Sequence, residues 1–85
     1  MEPQIEDQVT GNDLEGRYAN FFKVGYNALE FLLDFGQFYS GTNAPRLHTR
    51  VMTNPNYAKA LLATLEQSIE QYEEKFGEIR KHVEE

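Results

Sequence analysis

An apolar repeat in the last third of the chain constrains its fold more than any other feature. Large apolar residues recur there in alternating steps of four and three, the heptad spacing that keeps one stripe on one side of a helix. We call this stripe the helix seam; its members are Ala58, Leu62, Leu65, Ile69, Tyr72, Phe76, Ile79 and Val83. Asn54 followed by Pro55 is typical of a helix start, because Asn accepts a bond from an early amide and Pro lacks a donor there. The pattern predicts one helix over about residues 55–83.

The length of this helix bears on assembly. About 28 helical residues would extend ~40 Å, whereas a strand of about seven residues spans ~23 Å, so the distal seam residues would extend past a small sheet. Each large side chain left in water forgoes roughly 1.5–3 kcal/mol of burial, which favours a homo-oligomer, with a dimer preferred. Two alternatives stay open. A single helix could lie on its own sheet, and Gly77 could end the helix early as a left-handed cap.

Three runs rich in aromatic and β-branched residues precede the helix. They predict strands at about 17–26, 30–39 and 46–53, separated by a short turn at Asn27–Glu30 and a loop at Ser40–Pro45. The expected fold class is α+β, a three-stranded antiparallel meander followed by one long C-terminal helix packed on the sheet. The face expected beneath the helix carries Phe22, Val24, Leu33, Phe35, Leu47 and Val51.

The opposite sheet face is predicted to be mixed in character. It combines apolar and charged side chains, namely Phe21, Leu32, Phe38, Lys23, Asp34, His48 and Arg50. Such a face is too apolar for open water and too charged for an isolated core. It is typical of a partner surface, whether for a second subunit or for a target.

Negative charge is concentrated at the N-terminus. Five of the 14 acidic residues precede Arg17, the first basic residue, so the remaining 9 acidic and 8 basic residues leave a net charge of -1 for the rest of the chain. We therefore expect a disordered acidic arm at residues 1–16 and one α+β domain at 17–85. An acidic arm repels phosphate backbones and argues against nucleic-acid binding.

Candidate catalytic and metal-binding residues are few. Asp34, in the middle of a strand, could serve as a general acid, but a cross-strand charge pair with Lys23 or Arg50 is the preferred interpretation. His48 has no second metal ligand nearby, and Glu78 with His82 would give only two ligands. There is no cysteine. We expect no catalytic residues, metal or cofactor, and hence no enzyme.

No signal peptide or membrane span is evident. The first residues lack a basic segment followed by an apolar run, and no stretch approaches the ~20 apolar residues that a span requires. The expectation is a cytoplasmic protein that does not enter the membrane.

Short ordered motifs across residues 17–79 resemble a known family. They are Tyr18-Ala19-Asn20, Glu30-Phe31, Leu33-Asp34-Phe35, Asn54-Pro55, Ala58-Lys59, Leu61-Leu62, Tyr72-Glu73, Phe76-Gly77 and Ile79. Together they resemble the bacterial domain of unknown function 3467 family. The resemblance implies no established activity, ligand or catalytic residue.

The sequence therefore favours a small non-catalytic protein-interaction module that self-associates and binds another protein. The candidate interface residues are Leu62, Leu65, Ile69, Tyr72, Phe76 and Ile79 on the helix seam, and Phe21, Leu32 and Phe38 on the mixed sheet face. One alternative is a chaperone-like assembly that binds unfolded polypeptides. A second is a nucleic-acid binder that stacks bases on the mixed sheet face.

Overall fold

Three antiparallel strands followed by one helix make up the fold. The computed structural model describes residues 13–41 and 43–80. The strands are β1 (Phe21–Tyr26), β2 (Phe31–Gln37) and β3 (Arg46–Thr53), and the helix is α1 (Pro55–Phe76). The sheet order is β1-β2-β3, so β2 is the central strand. This architecture confirms the α+β class and the strand-strand-strand-helix order. Most of the predicted acidic arm, residues 1–12, lies outside the described residues.

The hairpin between β1 and β2 places one set of aromatic side chains on a common face. Asn27 closes the turn, because its Oδ1 accepts bonds from the N–H groups of Leu29 (2.8 Å) and Glu30 (2.9 Å). In the resulting register the rings of Phe22 and Phe35 meet edge to face at 5.9 Å. We call this side the apolar sheet face; its residues are Phe22, Val24, Tyr26, Phe31, Leu33, Phe35 and Val51.

A β-bulge interrupts the pairing of β2 with β3 between Phe35 and Gly36. Phe35 pairs with Thr49, whereas Gly36 pairs with Leu47, so His48 is the extra residue. The bulge shifts the alternation of side chains by one residue. Leu47 consequently occupies the register of the mixed sheet face, and its predicted place beside Val51 was wrong.

The segment before β1 crosses the sheet instead of extending the strand. β1 begins at Phe21, not at the predicted residue 17. The backbone oxygen of Tyr18 lies 3.0 Å from Nε2 of His48 in β3, and Nη1 of Arg17 donates to the His48 carbonyl at 3.4 Å. Both contacts are with β3, although β1 pairs with β2 on the other side of the sheet. Asn20 still contacts β2, since its N–H donates to the Gly36 carbonyl at 3.0 Å. The chain therefore turns toward β3 at residues 17–18, before Asn20.

A single residue, Asn54, joins β3 to the helix. Its Oδ1 accepts a bond from the N–H of Tyr57 at 2.8 Å, which confirms the predicted cap. The backbone of Asn54 is extended, with φ -99° and ψ 169°. The chain therefore leaves β3 without the longer turn that would return the helix over the strands.

Gly77 ends the helix, so the predicted end near residue 83 was wrong. The open alternative of an early end at Gly77 was right, although its ψ of 167° is not that of the left-handed helical cap expected there. Gly77 has φ 104°, and its N–H donates to the Glu73 carbonyl at 2.9 Å. A positive φ is accessible to glycine without the steric penalty that a Cβ would cause. The helix therefore ends at Gly77 even though the apolar repeat of the sequence continues beyond it.

The helix is not packed across its own sheet, which differs from the expected arrangement. It makes at most isolated contacts with the strands, and none of its residues is buried. No hydrophobic residue in the described part of the chain is buried either. The one-residue connection at Asn54 explains the difference, since it leaves the two apolar surfaces of the chain apart.

Candidate interaction surfaces

The described part of the helix seam is exposed from Leu62 to Ile79, and only Ala58 at its start is half-buried. Ile69 is 40% exposed and Phe76 is 69% exposed. The rings of Tyr72 and Phe76 contact each other at 4.9 Å between centroids, so the distal seam presents a continuous aromatic surface. The remaining predicted members Leu62, Leu65 and Ile79 are also exposed. Val83, the last predicted member, lies outside the described residues.

Ile79 belongs to the chain beyond the helix. Its N–H donates to Oε2 of Glu73 at 2.9 Å, a bond that returns the segment after Gly77 toward the last helical turn. The side chain of Ile79 is 47% exposed.

The apolar sheet face is the second uncovered surface. Phe22 is 60% exposed and Val24 is 57% exposed, while their partners Leu33 and Phe35 on the central strand are half-buried. The charged residues Lys23 and Asp34, which pair with each other across β1 and β2, lie on the mixed sheet face. The sequence predicted this face correctly except for Leu47, but as a surface beneath the chain's own helix. The one-residue spacing between β3 and Pro55 was the signal that argued against that assignment.

The mixed sheet face brings together the predicted aromatic and charged residues. Phe21 and Phe38 meet edge to face, with 5.5 Å between ring centroids and an angle of 83°. Phe38 is held at the end of β2 because its N–H donates to Oδ1 of Asn20 at 2.9 Å. Leu32 lies farther along β2 and pairs with Met52, which is exposed.

Asp34 forms the charged centre of this face. Its two carboxylate oxygens accept bonds from Nε and Nη2 of Arg50 at 2.8 and 2.9 Å, and Lys23 is its register partner on β1. The prediction of a cross-strand charge pair is confirmed. The hydrogen bonds from Arg50 lower the pKa of Asp34 and outweigh the opposing effect of desolvation, and the charges of Arg50 and Lys23 lower the pKa further. The same pairing raises the pKa of Arg50. An ionised carboxylate of this kind is a poor proton donor.

His48 has a structural role at the bulge. Nε2 lies 3.0 Å from the Tyr18 carbonyl oxygen, and Nδ1 lies 2.7 Å from Oγ1 of Thr49. A carbonyl only accepts, so Nε2 carries a proton and donates it to Tyr18, while the hydroxyl of Thr49 can donate to or accept from Nδ1. Both ring nitrogens are engaged. Residues 13–41 and 43–80 contain no group of three side chains suited to holding a metal ion, and His82 lies outside those ranges.

Shallow depressions along β3 are open to solvent. His48, Thr49 and Arg50 line two of them, and the first also contacts Arg17 and Phe35. The polar groups in these depressions bond to one another. Their geometry suits surface recognition better than the enclosure of a small molecule.

Comparison with known proteins places the chain in a family but not in a function class. Within the described part of the chain, no helix is both long enough and apolar enough to cross a membrane. No curated protein and no solved structure matches the sequence significantly. The family model described as "Protein of unknown function (DUF3467)" matches residues 1–81, and the chain belongs to that family.

Proposed function

We propose that this member of the DUF3467 family is a small non-catalytic protein-interaction module that self-associates through its helix seam and binds another protein through its mixed sheet face. One observation carries the proposal: no hydrophobic residue in the described ranges is buried within a single chain. Hydrophobic burial is the dominant favourable term in folding. A chain that does not bury its apolar residues alone requires a second polypeptide to cover them.

The mixed sheet face supports the second half of the proposal. An edge-to-face aromatic pair lies at one end, and the Asp34–Arg50 pair lies near the centre. Aromatic residues and Arg are enriched in protein interfaces. The outer edges of β1 and β3 offer a further mode of contact by strand addition. Asp34 neutralises part of the positive charge on this face, which makes a phosphate backbone a poorer partner than a protein.

Self-association is tested by measuring the solution mass by light scattering over a wide concentration range. The test variant is Ile69→Glu with Phe76→Glu, and the matched control is Gln67→Glu with Gln71→Glu, which adds the same two charges to exposed positions off the seam. We expect an oligomer for the native chain and the control, and dissociation of the test variant. A folded native chain that is monomeric at every concentration contradicts the proposal.

Partner binding is tested with Phe21→Ser and Phe38→Ser on the mixed sheet face. Cross-linking to proteins of the native cell should recover a specific partner with the native chain and with the Gln67→Glu, Gln71→Glu control, and lose it with the double serine variant. The exposed aromatic pair also fits a chaperone-like assembly. Binding to a reduced, alkylated and permanently unfolded protein, without preference among folded ones, would favour that alternative.

A further inference from the structure

We propose that the helix seam of one chain packs on the apolar sheet face of a second copy, with the reciprocal contact completing a two-fold dimer. This inference rests on the proposed self-association and specifies its geometry. The seam and the apolar sheet face are the two surfaces that one chain would be expected to bring together, and both are exposed. In the proposed dimer each surface meets its complement in the partner.

The connection at Asn54 directs the helix away from its own sheet. One extended residue separates Thr53 at the end of β3 from Pro55 at the start of α1. A helix of 22 residues is ~33 Å long, more than the width of three strands at ~4.8 Å spacing. The helix makes at most isolated contacts with its own strands. Exchange of such an element between identical chains is a low-cost route to a dimer.

The exposed area matches what a stable dimer needs. The chain exposes 8462 Å², whereas a compact monomer of 9.9 kDa exposes ~5,200 Å². Residues outside the described ranges account for at most the ~3,000 Å² that a fully unfolded segment of their length would expose. The area that remains for the described residues is about 1,000 Å² larger than a compact chain of the same mass would expose. Two chains that each remove this excess bury about 2,000 Å² in total, which is the size of an obligate homodimer interface.

Charge favours a second copy as the occupant. The apolar sheet face and the helix seam are both uncharged along their central residues. The acidic residues of the helix, such as Glu66, Glu70 and Glu74, fall off the seam. Packing one surface on the other therefore buries no unpaired charge, which would otherwise oppose association. The contact is isologous, so two copies satisfy both surfaces and the assembly closes at two.

The pairing is tested by cross-linking between two single-cysteine chains, since the native sequence has no cysteine. One chain carries Leu33→Cys at the centre of the apolar sheet face, and a second chain of different length carries Ile69→Cys on the seam. The chains are mixed in urea, refolded together and treated with a short bifunctional maleimide. We expect the mixed 33–69 product in several-fold excess over either homodimeric product. Gln71→Cys, which lies off the seam, replaces Ile69→Cys as the control and should give little product.

Other outcomes separate this inference from the proposed function. A predominant 69–69 product overturns helix-on-sheet pairing but leaves self-association in place. An intrachain product from a chain carrying both cysteines overturns exchange in favour of packing within one chain. A native chain that remains monomeric overturns both proposals. If Leu33→Cys or Ile69→Cys disturbs folding, Val51→Cys with Tyr72→Cys tests the same contact, and a stable dimer that gives neither mixed product overturns the inference.

Discussion

At the scale of single residues, Gly36 permits a close approach between the backbones of β2 and β3. An ideal Cβ at this position would overlap the Arg46 carbonyl oxygen and lie 3.0 Å from Cα of Leu47. Both atoms belong to the backbone of β3, so a side chain cannot relieve the contact by changing rotamer. The bulge at His48 and the absence of a Cβ at Gly36 are thus parts of one local arrangement. The sequence alone does not predict this close contact between strands, because the contact depends on how β3 is paired with β2.

Replacement of Gly36 by Ala should lower the free energy of unfolding by about 1–3 kcal/mol, the usual cost of overpacking. Gly25→Ala is the matched control, because a Cβ there meets nothing within 4 Å. The control should leave stability unchanged or raise it by up to about 1 kcal/mol through the entropy of the unfolded chain. Urea unfolding at one fixed protein concentration measures both. Equal effects of the two substitutions would contradict the prediction, because they would show that the backbone of β3 can shift to accommodate the added methyl group at little cost.

Asp34 makes the stability depend on pH in a defined direction. Its pKa is lowered in the folded chain from the ordinary value of 3.8, chiefly by the hydrogen bonds from Arg50. A lowered folded pKa adds stability that is present above the ordinary pKa and is lost as the pH falls through the folded pKa. The relevant window therefore lies below pH 3.8.

Asp34→Asn should lower the urea midpoint at about pH 7 and have a smaller effect at about pH 3, because that pH lies below the ordinary pKa of 3.8, where the unfolded chain already binds the proton that the folded carboxylate resists. Asp13→Asn is the control, since Asp13 is an exposed acid outside the sheet. The midpoint of that variant should follow the native one at both pH values. If the midpoints of the native chain and the Asp34→Asn variant differ by the same amount at both pH values, the assigned cause of the pKa shift is contradicted.

At the scale of elements, local sequence patterns predicted the three strands and the helix. They did not predict where the helix ends or what it packs against. The Asn54-Pro55 start and the Asn27–Glu30 turn are local, and both were predicted correctly. The heptad pattern continues past Gly77, yet the helix does not, because the backbone at the glycine adopts a positive φ. The apolar periodicity shows which residues share one side of the helix. It does not show whether the chain's own sheet or a second chain covers them.

The connection at Asn54 leads to a prediction about linker length. Insertion of Gly-Ser-Gly-Ser-Gly after Thr53 should allow the helix to fold back on its own sheet. A short flexible linker gives an effective concentration in the mM range, so the intrachain contact should prevail at micromolar protein. Light scattering should then show a folded monomer in place of the proposed dimer.

The matched control for this prediction is the same insertion after Gly41, in the loop between β2 and β3. It lengthens the chain equally without changing the helix connection, and the oligomer should persist. A variant extended after Thr53 that dissociates no more readily than this control would contradict the role assigned to Asn54.

At the scale of the whole molecule, the lack of a buried hydrophobic residue within residues 13–41 and 43–80 is the feature that the sequence did not predict. The apolar residues of strands and helix were identified. Those of one sheet face were assigned to an interior beneath the helix, and most of the helix seam was assigned to an interface between chains. The described structure separates them into two exposed surfaces. Apolar content is a property of the sequence, whereas the pairing of apolar surfaces within or between chains depends on the connection between elements.

If two copies complete one core, the thermal midpoint should rise with protein concentration. A hundredfold increase adds ~2.7 kcal/mol to the apparent stability, which corresponds to roughly 5–10 °C for an assembly of this size. Calorimetry across that range gives the shift directly. A midpoint independent of concentration would contradict shared burial.

The uncovered apolar surface also determines how a cell would treat a solitary copy. Holdase chaperones and quality-control proteases act on exposed hydrophobic side chains, and a single chain displays them as a partly unfolded protein does. If the proposed dimer forms, a newly made copy escapes this surveillance when it meets another copy. The lifetime of the protein would then rise with its abundance. A twofold higher rate of synthesis would therefore raise its cellular level more than twofold.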